Sequence, residues 1–107
     1  MVKNKINQLE LKRTNWNVAK ESIEFILSHI QKHNYKTVLE IGGYNGYSAL
    51  KFSLITTEVI SLEKDKHFAN EFKKNTENVD NIKLIEGDAL TSLQKLNEQN
   101  KKFDLIF

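Results

Sequence analysis

Val38-Leu39-Glu40-Ile41-Gly42-Gly43-Tyr44-Asn45-Gly46-Tyr47-Ser48 carries an apolar run into a glycine-broken turn and then into a helix-forming stretch. Gly42, Gly43 and Gly46 are three of the four glycines in the chain, with Gly87 the fourth. Glycine lets a backbone turn sharply and approach a ligand without a Cβ in the way. A helix starting near Gly46 is expected to present unpaired N–H groups and its positive dipole end at the strand tip, where an anionic group is favoured. A strand, a glycine turn and a helix in this order are the local geometry of a nucleotide-cofactor site.

The spacing separates two cofactor classes. A dinucleotide turn reads G-x-G-x-x-G, whereas here Glu40 precedes Gly42, Gly43 and Gly46. An acid one step before the turn suits a cationic ligand better than a pyrophosphate. The run resembles the signature E-[IL]-G-x-[YF]-x-G-Y-S of the S-adenosylmethionine-dependent O-methyltransferases, the catechol O-methyltransferase group and its bacterial relatives in particular. Glu40, Ile41, Gly42, Tyr44, Gly46, Tyr47 and Ser48 fill its fixed positions. The resemblance implies S-adenosylmethionine as cofactor, with Glu40 and Ser48 at its methionine end and Gly42 and Gly43 giving close backbone approach.

Downstream, 57–62 reads as a second buried strand by its β-branched content, ending at Glu63, about twenty residues past the turn. An acid at that point accepts hydrogen bonds from ribose hydroxyls in nucleotide-binding βαβ units. The plainer reading of this stretch is a charged helix start with Asp65 as N-cap. Residues 81–86 form a third strand, followed by the turn Gly87-Asp88-Ala89. By resemblance Asp88 or the Ala89 backbone borders the adenine; the alternative is Asp88 as a simple N-cap. Upstream, Ile23, Ile26, Leu27 and Ile30 place an apolar stripe on a helix over 18–33. Asn17-Val18 at its start resembles a family pair whose valine touches the cofactor's methionine end, and Trp16 either walls the site or staples the helix.

Helices over 48–54, 66–77 and about Leu90 to Leu96 complete a strand-helix alternation with Ala49, Leu50, Phe52, Phe68, Ala69, Phe72, Leu90, Leu93 and Leu96 as packing residues. That pattern predicts parallel βαβ units, hence an α/β, Rossmann-like, doubly wound sheet with its ligand crevice at the carboxyl ends of the strands. Residues 103–107 read as a fourth buried strand, in which the sequence stops. By resemblance, the acidic metal ligand and catalytic lysine follow that strand. The expected organisation is an N-terminal extension over 1–16 and the cofactor-binding part of a methyltransferase domain over 17–107, truncated after the fourth strand. No metal ligands are assigned to this chain; Mg or another divalent cation belongs to the complete family domain.

The chain has 107 residues, a net charge of +2 and no cysteine. That excludes disulfides, thiolate metal sites and thiol nucleophiles. The lysines are scattered along helix faces, which argues against a nucleic-acid surface, although a hydroxylated tRNA base remains within the family's acceptors. His29, His33 and His67 read as surface or helix-end residues in separate helices, without metal-ligand spacing. No signal peptide and no membrane-spanning run is visible, so the expected location is cytoplasmic, without a membrane partner. The expected activity is methyl transfer to a hydroxyl of a small molecule or modified base, the acceptor and the catalytic residues being unknown. Two other classes stay open. One is a non-catalytic cofactor-binding fragment or a module that pairs through the 103–107 edge, as a homo-oligomer or with a missing C-terminal half. The other is an NAD-dependent oxidoreductase on a similar fold, against which the Glu40-x-Gly-Gly turn argues.

Overall fold

The computed structural model describes residues 2–11 and 20–107. Among the described residues nine elements follow in chain order: α1 (Val2–Glu10), α2 (Lys20–His33), β1 (Thr37–Ile41), α3 (Tyr47–Ser53), β2 (Glu58–Glu63), α4 (Lys66–Asn75), β3 (Ile82–Glu86), α5 (Ala89–Glu98) and β4 (Leu105–Ile106). The four strands form one parallel sheet in the order β3-β2-β1-β4. The chain steps outward from β1 to β2 to β3, then crosses back to lay β4 on the other side of β1. This reversal is the topological switch expected of a doubly wound sheet, whose ligands sit outside the carboxyl ends of the strands.

Alternation along the strands distributes the core to two faces. Val38 and Val59 pack with Ile23, Ile30, Ala49, Leu50, Phe52 and Phe72 on the face covered by α1 to α4. Leu39, Ile60 and Leu62 pack with Leu96 of α5 on the other. Ala49, Leu50, Phe52, Ala69 and Phe72 are buried as their spacing indicates. Leu90 is not: it is 66% exposed, and α5 packs instead through Ser92 and Leu96, with Leu93 half-buried. Six residues turn a helix by about 600°, so Leu90 lies roughly 120° around the axis from Leu96.

Two further expectations change, and one helix is added. The fourth strand is an edge and only partly buried, with Ile106 61% exposed. Its ladder to β1 extends past the strand itself, through the Phe107 N–H to the Leu39 carbonyl (2.8 Å) and the Ile41 N–H to the Phe107 carbonyl (2.9 Å). His29 and His33 share α2, one turn apart, with ring centroids 4.3 Å from each other and Tyr35 stacked on His33. Residues 2–10, where the sequence shows no continuous apolar run, form α1, which buries Ile6 and Leu9. The Tyr47 hydroxyl donates to Glu10 (2.8 Å), tying α1 to α3. Trp16, Asn17 and Val18 lie outside the described residues. No described helix is long and apolar enough to cross a membrane.

Candidate functional site

A cleft of about 420 Å³ opens over the carboxyl ends of β1, β2 and β3, lined by Ile41, Gly42, Tyr44, Leu62, Glu63, Lys64, Asp65, Phe68, Gly87, Asp88 and Ala89. Its volume lies within the roughly 300–1,000 Å³ of small-molecule sites. Of the residues singled out in the sequence, Gly42, Tyr44, Glu63, Asp88 and Ala89 meet on this wall. Glu40, Gly43, Gly46 and Ser48 stand behind it, and Val18 is outside the described residues.

The turn is held from within. The N–H groups of Gly42 and Gly43 both donate to the Leu62 carbonyl (2.8 and 3.0 Å), and that of Gly46 donates to Gly43 (3.0 Å). The Tyr44 N–H donates to Glu63 Oε1 (2.8 Å), and Asn45 Oδ1 accepts from the Tyr47 N–H (3.2 Å). The turn amides are therefore paired within the protein, as is that of Tyr47, the first residue of α3. Gly42 has φ +83°, a left-handed conformation that side chains resist. Tyr44, at φ +50°, adopts it too, and its ring meets Phe68 edge-on at 5.4 Å on the cleft wall. Gly43 has a different reason to be glycine: a Cβ there would lie 2.8 Å from the Phe72 ring and 3.1 Å from the Ser61 side chain. Its smallness lets α4 close on the sheet.

Glu63 ends β2 with both carboxyl oxygens fixed by backbone, Oε1 by Tyr44 and Oε2 by the Asp65 N–H (3.0 Å). Each oxygen carries two acceptor positions, so capacity remains on the cleft side. Glu40 is enclosed completely. Ser61 Oγ donates to its Oε1 (2.8 Å) and Ser48 Oγ to its Oε2. Burial pushes the Glu40 carboxyl up to about 7, against the downward pull of the Ser48 and Ser61 hydrogen bonds and with a smaller upward push from the Glu63 charge.

Both helix-cap readings hold. Asp65 accepts from the Phe68 N–H (3.1 Å), and Asp88 from the Thr91 N–H (3.1 Å) while lining the cleft. Three carboxylates and one lysine give the rim an acidic balance. The sequence reading missed Ile41, Leu62, Lys64 and Phe68 as lining residues. Ile41 is itself a motif position, Leu62 and Lys64 flank Glu63, and Phe68 follows the Asp65 cap by three residues, which places it on the first turn of α4 beside the cleft. Among the described residues, no three His, Cys, Asp or Glu side chains gather as metal ligands.

Comparison with known proteins agrees with this architecture. Residues 2–107 match the O-methyltransferase family model. The structure superposes on a candidate O-methyltransferase from Klebsiella pneumoniae with a TM-score of 0.80 at 30% identity, over 99% of this chain and 51% of that one. The O-methyltransferase from Bacillus cereus in complex with S-adenosylhomocysteine gives 0.79 at 26% identity, over 99% and 52%. The S-adenosylhomocysteine-bound methyltransferase from Podospora anserina gives 0.81 at 25% identity, over 99% and 48%. No curated protein matches the chain. The chain thus spans about half the length of these solved structures.

Proposed function

The chain belongs to the O-methyltransferase family, and from that premise we propose that it forms the S-adenosylmethionine-binding half of an enzyme that methylates a hydroxyl group. One observation carries the proposal: the glycine turn, the β2-terminal Glu63 and the Gly87-Asp88-Ala89 turn, far apart in sequence, line a single cleft beside the topological switch.

The residues present fit the cofactor. Glu63, oriented by two backbone amides, accepts from ribose hydroxyls with its remaining lone pairs. The positive φ of Gly42 keeps the turn free of a side chain where the ligand passes, and a Cβ at Gly87 would meet nothing within 4 Å, leaving that approach open. Ile41, Leu62, Phe68 and Ala89 cover apolar parts of the ligand and exclude water. The acidic rim suits a ligand with positive charge. Ser48 and Val18 are assigned to the methionine end by family resemblance. When bound, S-adenosylmethionine supplies a sulfonium-activated methyl group, which an acceptor oxygen displaces in line. The protein's part is alignment and electrostatics.

The acceptor is a small hydroxylated aromatic or a hydroxylated base. A divalent cation such as Mg, which lowers the acceptor hydroxyl's pKa, belongs to the same proposal, with its ligands in the remainder of the family's domain. A thermal-shift comparison tests the reading: S-adenosylhomocysteine raises the melting temperature and NAD does not. Stabilisation by NAD alone would overturn it.

A further inference from the structure

We propose that His29 and His33 form a binding site for one borderline transition cation, of the zinc, nickel or copper class, that clamps the last turn of α2. The pair shares no residue with the cleft and stands independently of what binds there. Thr37 opens β1 four residues after His33, so the pair lies toward the amino end of the sheet, whereas the cleft lies over the carboxyl ends.

The spacing is the first support. Residues four apart on a helix project from one face, one above the other. Two histidines so spaced on a helix are the arrangement that chelates zinc in helical metal motifs. Here both side chains are exposed and their rings touch, with centroids 4.3 Å apart and planes tilted by 57°. A shared ion takes each ring nitrogen at about 2.0–2.1 Å, which sets the two nitrogens about 3 Å from one another. Rings already in contact reach that separation by turning about their Cβ–Cγ bonds, with no movement of the helix.

The second support is that the pair is held from behind. Asn34 ends α2 at φ +56°. Its N–H donates to the Gln31 carbonyl (3.2 Å) and that of Tyr35 to the Ile30 carbonyl (3.1 Å), a helix ending that folds the chain back along its own last turn. The fold-back lays the Tyr35 ring on His33 at 5.4 Å, nearly parallel, and edge-on to His29 at 5.8 Å. Tyr35 is itself packed against the main core cluster. His33 therefore sits between a neighbouring imidazole and a fixed aromatic wall, which lowers the ordering cost of bringing two ligands to one ion.

Charge and donor type choose the ion. The site spans the last two turns of α2, where the helix dipole favours a cation. Of the neighbouring lysines, Lys36 is turned to Asn34 Oδ1 (2.9 Å), and Lys32 points about 100° around the helix from His33. Among the described residues no third His, Cys, Asp or Glu joins the pair, so water completes the coordination shell. Two imidazoles and water suit zinc, nickel and copper, whereas Mg requires oxygen ligands. The site is thus chemically distinct from one that would hold Mg.

The test uses the chain without an affinity tag, stripped beforehand with a chelator. Zn or Ni should raise its melting temperature, Mg at the same concentration should not, and calorimetry should give one ion per chain. His29→Ala and His33→Ala should each weaken binding by at least about tenfold, because a single imidazole loses the effective concentration of the second. Both residues are exposed, so the metal-free variants should melt as the wild type does, which separates lost binding from lost folding. His67, the remaining histidine, lies on α4 beside Glu71, and His67→Ala should bind as the wild type does. Ni should broaden the imidazole resonances of His29 and His33 before those of His67. A wild type that neither Zn nor Ni stabilises, an equal response to Mg, unchanged affinity in His29→Ala or His33→Ala, or lost binding in His67→Ala overturns the proposal.

Discussion

Glu40 and Glu63 both close an apolar strand with an acid, yet the molecule uses them in opposite ways. The β1–β2 register pairs Glu40 with Ser61 and Ile41 with Leu62, which sets Glu63 level with Gly42. Glu40 thus lies two residues deeper, about 6–7 Å along the strand. At the tip, Glu63 is oriented by backbone N–H groups that can only donate, so its direction is set where it lines the cleft. Beneath α3, Glu40 is oriented by hydroxyls that can donate or accept, so its surroundings can follow its proton. A carboxylate tied to amides is held in one orientation. One tied to hydroxyls in a dry pocket is a titrating group.

The comparison can be broken by measurement. The largest expected effect is a pH dependence of stability carried by Glu40. Its carboxyl titrates at 4.5 in an unperturbed chain and at about 7 when folded, so the folded protein holds the proton more tightly. The resulting stability is fully present below pH 4.5, is lost as pH rises through about 7, and amounts to about 3 kcal/mol. Urea denaturation of the wild type from pH 5 to 8 should show this decline, and Glu40→Gln should flatten it. A wild type equally stable across that range would place Glu40 in a wetter site than the structure does.

Next comes Glu63→Ala, which removes a charged acceptor and is expected to weaken S-adenosylhomocysteine binding by about 1.5–3 kcal/mol. Calorimetry giving equal affinities would remove Glu63 from the site. Gly43→Ala disturbs the surroundings of Glu40 selectively, because the new methyl meets Phe72 and Ser61. Overpacking of this kind costs about 1–3 kcal/mol. Thermal denaturation should detect that loss, and an unchanged melting temperature would show that Phe72 yields freely. The smallest effect belongs to the third carboxylate. Asp88→Ala removes the α5 cap and should cost about 1 kcal/mol, while Asp88→Asn keeps the cap and costs little. Equal losses in chemical denaturation would assign the effect to charge instead of capping.

Much of the fold was legible because it is written in local period and turn chemistry. The run 38–48, the β-branched stretch ending at Glu63 and the caps Asp65 and Asp88 all form close to where their residue types place them. What was not legible is what packing decides. Leu90 satisfies an apolar list but not the angle of the buried face. The segment 2–10 earns its burial only against α3. His29 and His33 are helical neighbours whose ring contact follows from one turn of α2.

The sequence by itself determined the order of strands and helices, the glycine turn and the acids at the strand ends, since these depend on residues within a turn of one another. Only the tertiary structure decided which acid lines the cleft and which is sealed beneath α3. Two residues of depth along a strand change nothing in local propensity. They change solvation entirely once α3 closes over the sheet.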